Sequence, residues 1–381
     1  MKSMFKTLLG GAVLALPLLT ITGGAAAQDK PAAKATTAQP GAAKSDAAKS
    51  AAEKPGAKPW TPKRTPWGDP DLRGRWPLDY LAQTPRIRPE QYGDRAELTD
   101  AEYATAMRNA KQQAGLYDRE EKAGKIGMGH WTERGQPLRQ TSLTVVPANG
   151  RMPPATPEGV KRSADMRSSW TEQHWNWVDD FNTFDRCITR GLPQSMLPGV
   201  YNSGIELMQG PGYVAIRLEM IHETRIIPLD GRAKPAAALK NWMGISRGHW
   251  EGNTLVIETT NFVPNMPLGN TGQSPRPVPN SDQMKMTERL TPTGPNNIRY
   301  EAWVEDPVTL TAPFKLDFPW QRNDDYEFFE YACHEGNVQL RGFITSTSTN
   351  PRLVAAREAK WKAQEAERLQ TASASAPAKV N

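Results

Sequence analysis

The sequence predicts a mainly β protein, with an antiparallel meander closed as a lipocalin-like barrel and a few N-terminal helices. From about residue 201 onward, runs rich in β-branched and aromatic residues follow one another. Short turns separate these runs, as at Glu251-Gly252-Asn253. Consecutive strands with short links favour an antiparallel arrangement, which avoids exposed edges by closing into a barrel or by stacking. A β-sandwich is therefore the alternative.

The first 27 residues are typical of a secretory signal peptide. Lys2 and Lys6 precede an apolar stretch, and small residues up to Ala27 offer a cleavage site. We therefore expect a periplasmic or secreted protein that is cleaved after Ala27. The apolar stretch is too short to span a bilayer, and no later segment reaches the ~20 apolar residues that a span needs. No transmembrane segment is expected in the mature chain.

Low-complexity sequence flanks the expected domain. Residues 28–58 are rich in Ala, Lys and Pro and contain no aromatic residue, which predicts a disordered tether. Residues 352–381 predict a charged helix followed by a disordered tail. The net charge of the whole chain is +6, and residues 1–58 and 354–381 together carry +7. Residues 59–353 therefore carry a net charge of −1. The basic pI of about 9.2 thus reflects the ends of the chain. It gives no support for a nucleic-acid partner and allows only weak envelope contact through basic tails.

Residues 59–200 predict a mixed helix and loop lead-in that packs on the barrel. Thr99 and Glu102 form a capping-box pattern before a helix that ends at Gly115. Thr156 followed by Pro157 predicts a second helix start.

Residues 201–351 predict the antiparallel β domain. Its expected strands cover residues 201–209, 213–222, 224–229, 242–250, 254–262, 284–291, 297–305, 309–318, 325–333 and 338–345.

The chain has two cysteines, Cys187 and Cys333. In an oxidising compartment a single pair is most simply a disulfide. Two free thiols, one of them catalytic, are the alternative.

The segment Tyr213–Gly231 places charged groups within strongly β-forming sequence. Burying a charge without a partner is costly, so these groups need partners or a wet cavity. His222 is a candidate acid or base, with Glu219 or Glu258 to orient it. Strand alternation sends Glu219 and His222 to opposite faces unless a bulge or break re-aims the chain. A structural histidine and a cross-strand ion pair are the alternative.

Other polar and aromatic residues predict a ligand site. Charged groups at Arg217, Arg225 and Glu301 fit either a polar ligand cavity or an internal ion-pair network. Trp175 and Trp177 lie beside carboxylates, a combination that suits aromatic or sugar ligands, although tryptophan also packs in cores.

No metal site and no cofactor are expected. The five histidines are His130, His174, His222, His249 and His334, and they show no HExxH motif or Cys/His cluster. Nucleophile-elbow, phosphate-loop and dinucleotide motifs are also lacking in the sequence.

An ordered series of motifs spans roughly residues 66–340: PDLxGxW (70–76), RCI (186–188), EMIH (219–222), RIIPLDG (225–231), WEG (250–252), ETTNF (258–262) and YACHE (331–335). The series resembles a broad family of exported bacterial proteins of uncharacterised function. The resemblance implies an exported, β-rich domain and brings no reaction with it.

Taken alone, the sequence favours a periplasmic β-barrel protein that binds a small, partly apolar or aromatic molecule. A secreted lyase or hydrolase that uses His222 is one alternative, and an envelope structural or interaction protein is another. The sequence leaves open whether the protein is an enzyme.

Overall fold

The computed structural model describes residues 60–374, except residues 128, 130, 131, 133, 134, 172, 173, 270 and 272–275. The expected signal peptide, the expected tether, His130 and the end of the expected tail lie outside the described residues.

Twelve strands occur in this part of the chain, and all of those that pair do so antiparallel. They are β1 (Gly74–Arg75), β2 (Thr144–Val146), β3 (Ile205–Gly210), β4 (Tyr213–Leu218), β5 (Thr224–Pro228), β6 (Ile245–Glu251), β7 (Thr254–Thr260), β8 (Pro267–Gly269), β9 (Val278–Pro279), β10 (Lys285–Gly294), β11 (Asn297–Glu305) and β12 (Phe314–Gln321).

Two sheets account for most of the β structure. Sheet A has four strands in the order β1-β3-β4-β5, and sheet B has six in the order β2-β12-β11-β10-β7-β6. Strands β8 and β9 form a small separate pair. The lead-in therefore does more than pack on the β domain, because it supplies β1 and β2 as edge strands of the two sheets.

The expected closed barrel is not found in the strand pairing of the described residues. Neither sheet closes on itself, since β5 ends sheet A and β6 ends sheet B. The connection between these two strands, residues 229–244, is too long for a hairpin turn and contains Pro235. The mainly β, antiparallel prediction is confirmed, and the arrangement is consistent with the sandwich alternative.

Both sheets contribute to one hydrophobic core. Strand β12 shows the expected alternation, because its buried residues alternate with partly exposed ones such as Lys315 and Asp317. Large side chains fill the space between strands, including Tyr300, Phe314, Phe318 and Trp320. These residues occupy the interior that the barrel prediction assigned to a ligand.

Six helices are described: α1 (Asp100–Ala114), α2 (Leu116–Lys122), α3 (Pro157–Ala164), α4 (Cys333–Gly336), α5 (Gln339–Thr347) and α6 (Pro351–Ala374). The capping box of α1 is confirmed, with the Thr99 hydroxyl accepting from the Glu102 amide. Thr156 likewise caps α3, and Pro157 occupies its first turn. No helix in the described part of the chain is both long and apolar enough to cross a membrane.

The expected strands at 325–333 and 338–345 are wrong. The last strand ends at Gln321, and residues 339–347 form helix α5. Leu340, Phe343 and Ile344 follow helical spacing as well as they fit part of a strand pattern. Phe343 packs on Trp175 and Phe181, which gives the helical form a buried partner. The β region therefore ends well before the expected boundary at residue 351.

A buried ion pair joins the two sheets. Arg225 of β5 donates to both carboxylate oxygens of Glu288 on β10, and both side chains are almost fully buried. The Tyr300 hydroxyl donates to Glu288 at 2.9 Å, and Ser246 and Thr259 accept longer bonds from Arg225. Burial opposes the charge of Arg225, yet the facing carboxylate outweighs it and raises the arginine's pKa.

Arg225→Met is expected to reduce the free energy of unfolding by about 3–5 kcal/mol, because it leaves Glu288 buried without its counter-charge. Arg299→Met is the matched control, since Arg299 pairs with Asp317 in a partly exposed position and its loss should cost about 1 kcal/mol or less. Urea denaturation measures both values.

The double variant Arg225→Met/Glu288→Leu should recover part of the loss, because no buried charge remains unpaired. Equal losses for Arg225→Met and Arg299→Met would contradict this account of the sheet contact.

Candidate functional site

The charged segment singled out in the sequence forms a tight turn at the end of sheet A. Strand β4 stops at Leu218, a short 3-10 turn covers Met220–His222, and β5 begins at Thr224. The break that the sequence left open is therefore present. Because Glu219 and His222 lie outside the strands, the alternation of side chains along a strand does not predict their directions.

Glu219 is buried and fully engaged by neutral donors. Its side chain accepts from the Asn202 amide at 3.0 Å, from the Gly204 backbone N–H at 3.0 Å and from the Tyr326 hydroxyl at 2.6 Å. A fourth bond comes from the Phe329 backbone N–H at 3.0 Å. With only 2 % of its surface exposed, this carboxylate ties residues 202–204 and 326–329 to the turn.

His222 is exposed and is presented by strained backbone. Ile221 and His222 have φ values of 61° and 42°, in the left-handed region that favours glycine. For a β-branched residue such as Ile221 this conformation costs on the order of 1–3 kcal/mol. Ile221 is buried and His222 donates its backbone N–H to the Glu219 carbonyl, so surrounding contacts hold the strain in place.

Three segments, residues 187–190, 219–223 and 331–334, meet at this turn, and each includes part of a sequence motif. Cys187 and Cys333 form the expected disulfide, with Cα atoms 5.7 Å apart. The disulfide is confirmed and excludes the free-thiol alternative. The ring of His334 lies 6.3 Å from that of His222, centroid to centroid. Contacts between residues this far apart in the chain leave no signal in a single sequence.

Glu223 extends from the turn toward the segment before β3. Its carboxylate accepts from the Thr189 hydroxyl at 2.6 Å. Burial raises the pKa of Glu223, while the Thr189 bond and nearby Arg225 oppose that rise.

Arg190, which the sequence did not single out, lies close by. Its guanidinium lies over the Phe184 ring at 5.5 Å, near the stacked rings of Tyr201 and Tyr331. Burial lowers the pKa of Arg190 and, together with Tyr201, raises that of Tyr331 to about 12.

The remaining acid, base and ligand candidates do not gather around His222. Glu258 is exposed and pairs with Lys234 at 3.2 Å. Arg217 pairs with Glu206 at 3.1 Å on the exposed surface of sheet A. These are surface ion pairs of little energetic weight.

Glu301 and Arg225 are also held by structural partners. Glu301 accepts from Lys315 at 2.6 Å between neighbouring strands of sheet B. Arg225 belongs to the core, so it does not share a cavity with His222. Arg225 forms the internal ion pair that the sequence allowed as an alternative to a ligand cavity.

The two tryptophans that the sequence assigned to ligand binding behave differently. Trp175 is buried and stacks on Phe181 at 5.7 Å between ring centroids, so it serves as a packing residue. Trp177 is 66 % exposed and is open to solvent.

A surface cleft of about 590 Å³ lies between the end of α3, the loop at 179–186 and the segments around Trp242 and Asn265. Its apolar wall comprises Met166, Phe181, Trp242, Val263 and Pro264. Its polar wall includes Arg162, Arg167 and Arg186 together with Asp165 and Asp179. We call it the arginine cleft.

No protein-family model, curated protein or solved structure matches the chain.

Surface ion pairs set the electrostatics of the arginine cleft. Arg186 donates to Asp179 at 3.1 Å, and the Asp179 side chain is 78 % exposed. Arg167 pairs with Asp180 just outside the cleft. Among the described residues, Arg162 donates to neutral groups, the Asn265 side chain at 2.9 Å and the Asn280 carbonyl at 3.0 Å. Of these contacts, the Arg186–Asp179 ion pair is the weak and exchangeable one, because Asp179 is highly exposed.

The sequence did not predict this cleft. Arg186 belongs to the RCI motif, but Trp242 and Arg162 come from other segments and carry no motif. Tryptophan content alone did not distinguish the cleft residue Trp242 from the packing residue Trp175.

Glu219→Gln is expected to reduce the free energy of unfolding by about 2–4 kcal/mol. The amide nitrogen cannot accept hydrogen bonds, so donors that now reach one carboxylate oxygen lose a buried partner. Glu206→Gln is the matched control, because Glu206 forms a partly exposed pair with Arg217 and should lose about 1 kcal/mol or less. Urea denaturation at neutral pH measures the free energy of unfolding of both variants. If Glu219→Gln were as stable as the wild type, the structural role of Glu219 would be contradicted.

Proposed function

We propose that this chain is an exported protein that binds a small, partly apolar molecule carrying a carboxylate, and that the arginine cleft is its binding site. The observation that carries the proposal is the meeting of an apolar wall and arginine side chains in one cleft. The N-terminal signal-peptide pattern and the disulfide support export.

The size of the cleft suits such a ligand. Small-molecule sites are typically concavities of about 300–1,000 Å³, mostly apolar, with a few polar groups that fix orientation. The arginine cleft, at about 590 Å³, lies within this range. Trp242 packs against the core on one side, which holds its position for contact with an apolar ligand on the other.

A ligand carboxylate can replace Asp179 as the partner of Arg186, which gives the site its preference for a carboxylate. Arg186 is now paired with Asp179, a highly exposed residue. A ligand carboxylate bound at Arg186 makes the same charge-assisted hydrogen bonds and adds apolar contact with the wall. Two antiparallel sheets with large side chains filling their core support the proposal, because the cleft lies at the surface outside that core.

Aromatic carboxylates should bind, and their uncharged amides should bind more weakly. Benzoate and 2-naphthoate are compared with benzamide and 2-naphthamide by isothermal titration calorimetry on the mature chain. Arg186→Gln should weaken carboxylate binding by about 10-fold or more, since a hydrogen bond to a charged group contributes about 1.5–3 kcal/mol.

Arg217→Gln is the matched control, because Arg217 is a half-exposed arginine on sheet A with an acidic partner of its own. It should bind as the wild type does. The proposal fails if neither carboxylate binds, or if Arg186→Gln and Arg217→Gln bind with the wild-type affinity.

A further inference from the structure

Two histidines that lie 112 positions apart in the chain meet at the turn after β4. The centroids of the His222 and His334 rings are 6.3 Å apart, and the rings are inclined at 45°. Both side chains are exposed. The arginine cleft includes neither residue, so this pair belongs to a different part of the surface.

The ring nitrogens of this pair are unoccupied, unlike those of the other histidines that the structure describes. His174 uses Nδ1 to contact the Thr347 carbonyl at 2.9 Å, and His249 uses Nε2 to contact Glu251 at 3.3 Å. Within the described residues, neither His222 nor His334 makes a side-chain hydrogen bond or ion pair. Each therefore has nitrogen lone-pair capacity available for an external ligand.

Rigid supports hold the two histidines next to each other. His222 follows the buried Ile221 in left-handed backbone, and Glu219 fixes the turn from below. His334 directly follows Cys333, which the disulfide ties to Cys187, itself at a φ of 56°. Strained backbone that persists because its surroundings over-determine it is a feature of functional sites. Here the strained backbone places the imidazole of His222 next to that of His334.

We propose that His222 and His334 together bind one divalent transition-metal ion, with Cu²⁺ bound more tightly than Ni²⁺ or Zn²⁺. Neutral imidazole is a ligand suited to all three ions, and the order of affinities follows from their general preference for nitrogen ligands. The sequence did not predict the site, because no local spacing brings these two residues together.

Water completes the coordination of this ion. In the described part of the chain no group of three or more His, Cys, Asp or Glu side chains could hold a metal, so the protein supplies two ligands. Imidazole nitrogens bind such ions at about 2.0–2.1 Å. Binding requires the exposed side chains to rotate until one nitrogen of each ring lies at this distance from the ion. The remaining positions stay open to water or to a small-molecule ligand.

The test is a titration of the mature, untagged, EDTA-treated chain with CuSO4, followed by calorimetry and by electron paramagnetic resonance. We expect one saturable site with a nitrogen hyperfine pattern from two imidazoles. His222→Asn and His334→Gln should each weaken Cu²⁺ binding at least tenfold. Asparagine tolerates left-handed backbone, so His222→Asn preserves the turn.

His174→Gln and His249→Gln are matched controls with exposed imidazoles, and both should keep the wild-type affinity. Circular dichroism and thermal unfolding verify that each variant is folded. The proposal is overturned if the wild type binds no Cu²⁺ saturably, if His222→Asn and His334→Gln bind like the wild type, or if the control variants lose binding equally. Ligand binding in the arginine cleft is measured separately with Arg186→Gln, so the two proposals fail independently.

Discussion

The contact between Arg225 and Glu288 sets the relation between the two sheets. A buried charge is tolerated only with its counter-charge and hydrogen-bond partners in place, so the sheets have little freedom to shift against each other. Tyr300 on β11 and Ser246 on β6 extend the requirement to further strands of sheet B. The apolar core supplies most of the driving force, and this polar network adds a geometric requirement to the contact between sheet A and sheet B.

The same buried contact also helps to position His222 at the surface. Arg225 lies only three positions after His222, so fixing the arginine in the core fixes the end of the turn that carries the histidine. Glu219 secures the start of the same turn through donors from two remote segments. The disulfide then fastens the segment bearing His334 beside it. Buried interactions thus determine the relative positions of His222 and His334 at the surface.

Local patterns in the sequence predicted local structure well. The alternation of strands, the hairpin at Gly252-Asn253 and the caps at Thr99 and Thr156 depend on neighbours in the chain, and all are observed. Barrel closure is not found among the described strands, and it would require pairing between β5 and β6, which a long connection separates. The site was harder still. Whether an inward Arg225 meets a ligand or a carboxylate depends on a residue 63 positions away.

The network around Glu219 has a consequence for the order of folding. Its donors include Tyr326 and Phe329, which follow every strand of both sheets. Strand β2 likewise can join sheet B after β12 is available, because β12 is its partner among the described strands and lies far along the chain. The Glu219 carboxylate stays hydrated until these C-terminal residues pack against the turn. The strained turn therefore matures among the last steps, and a fold with such long-range closure is expected to form slowly.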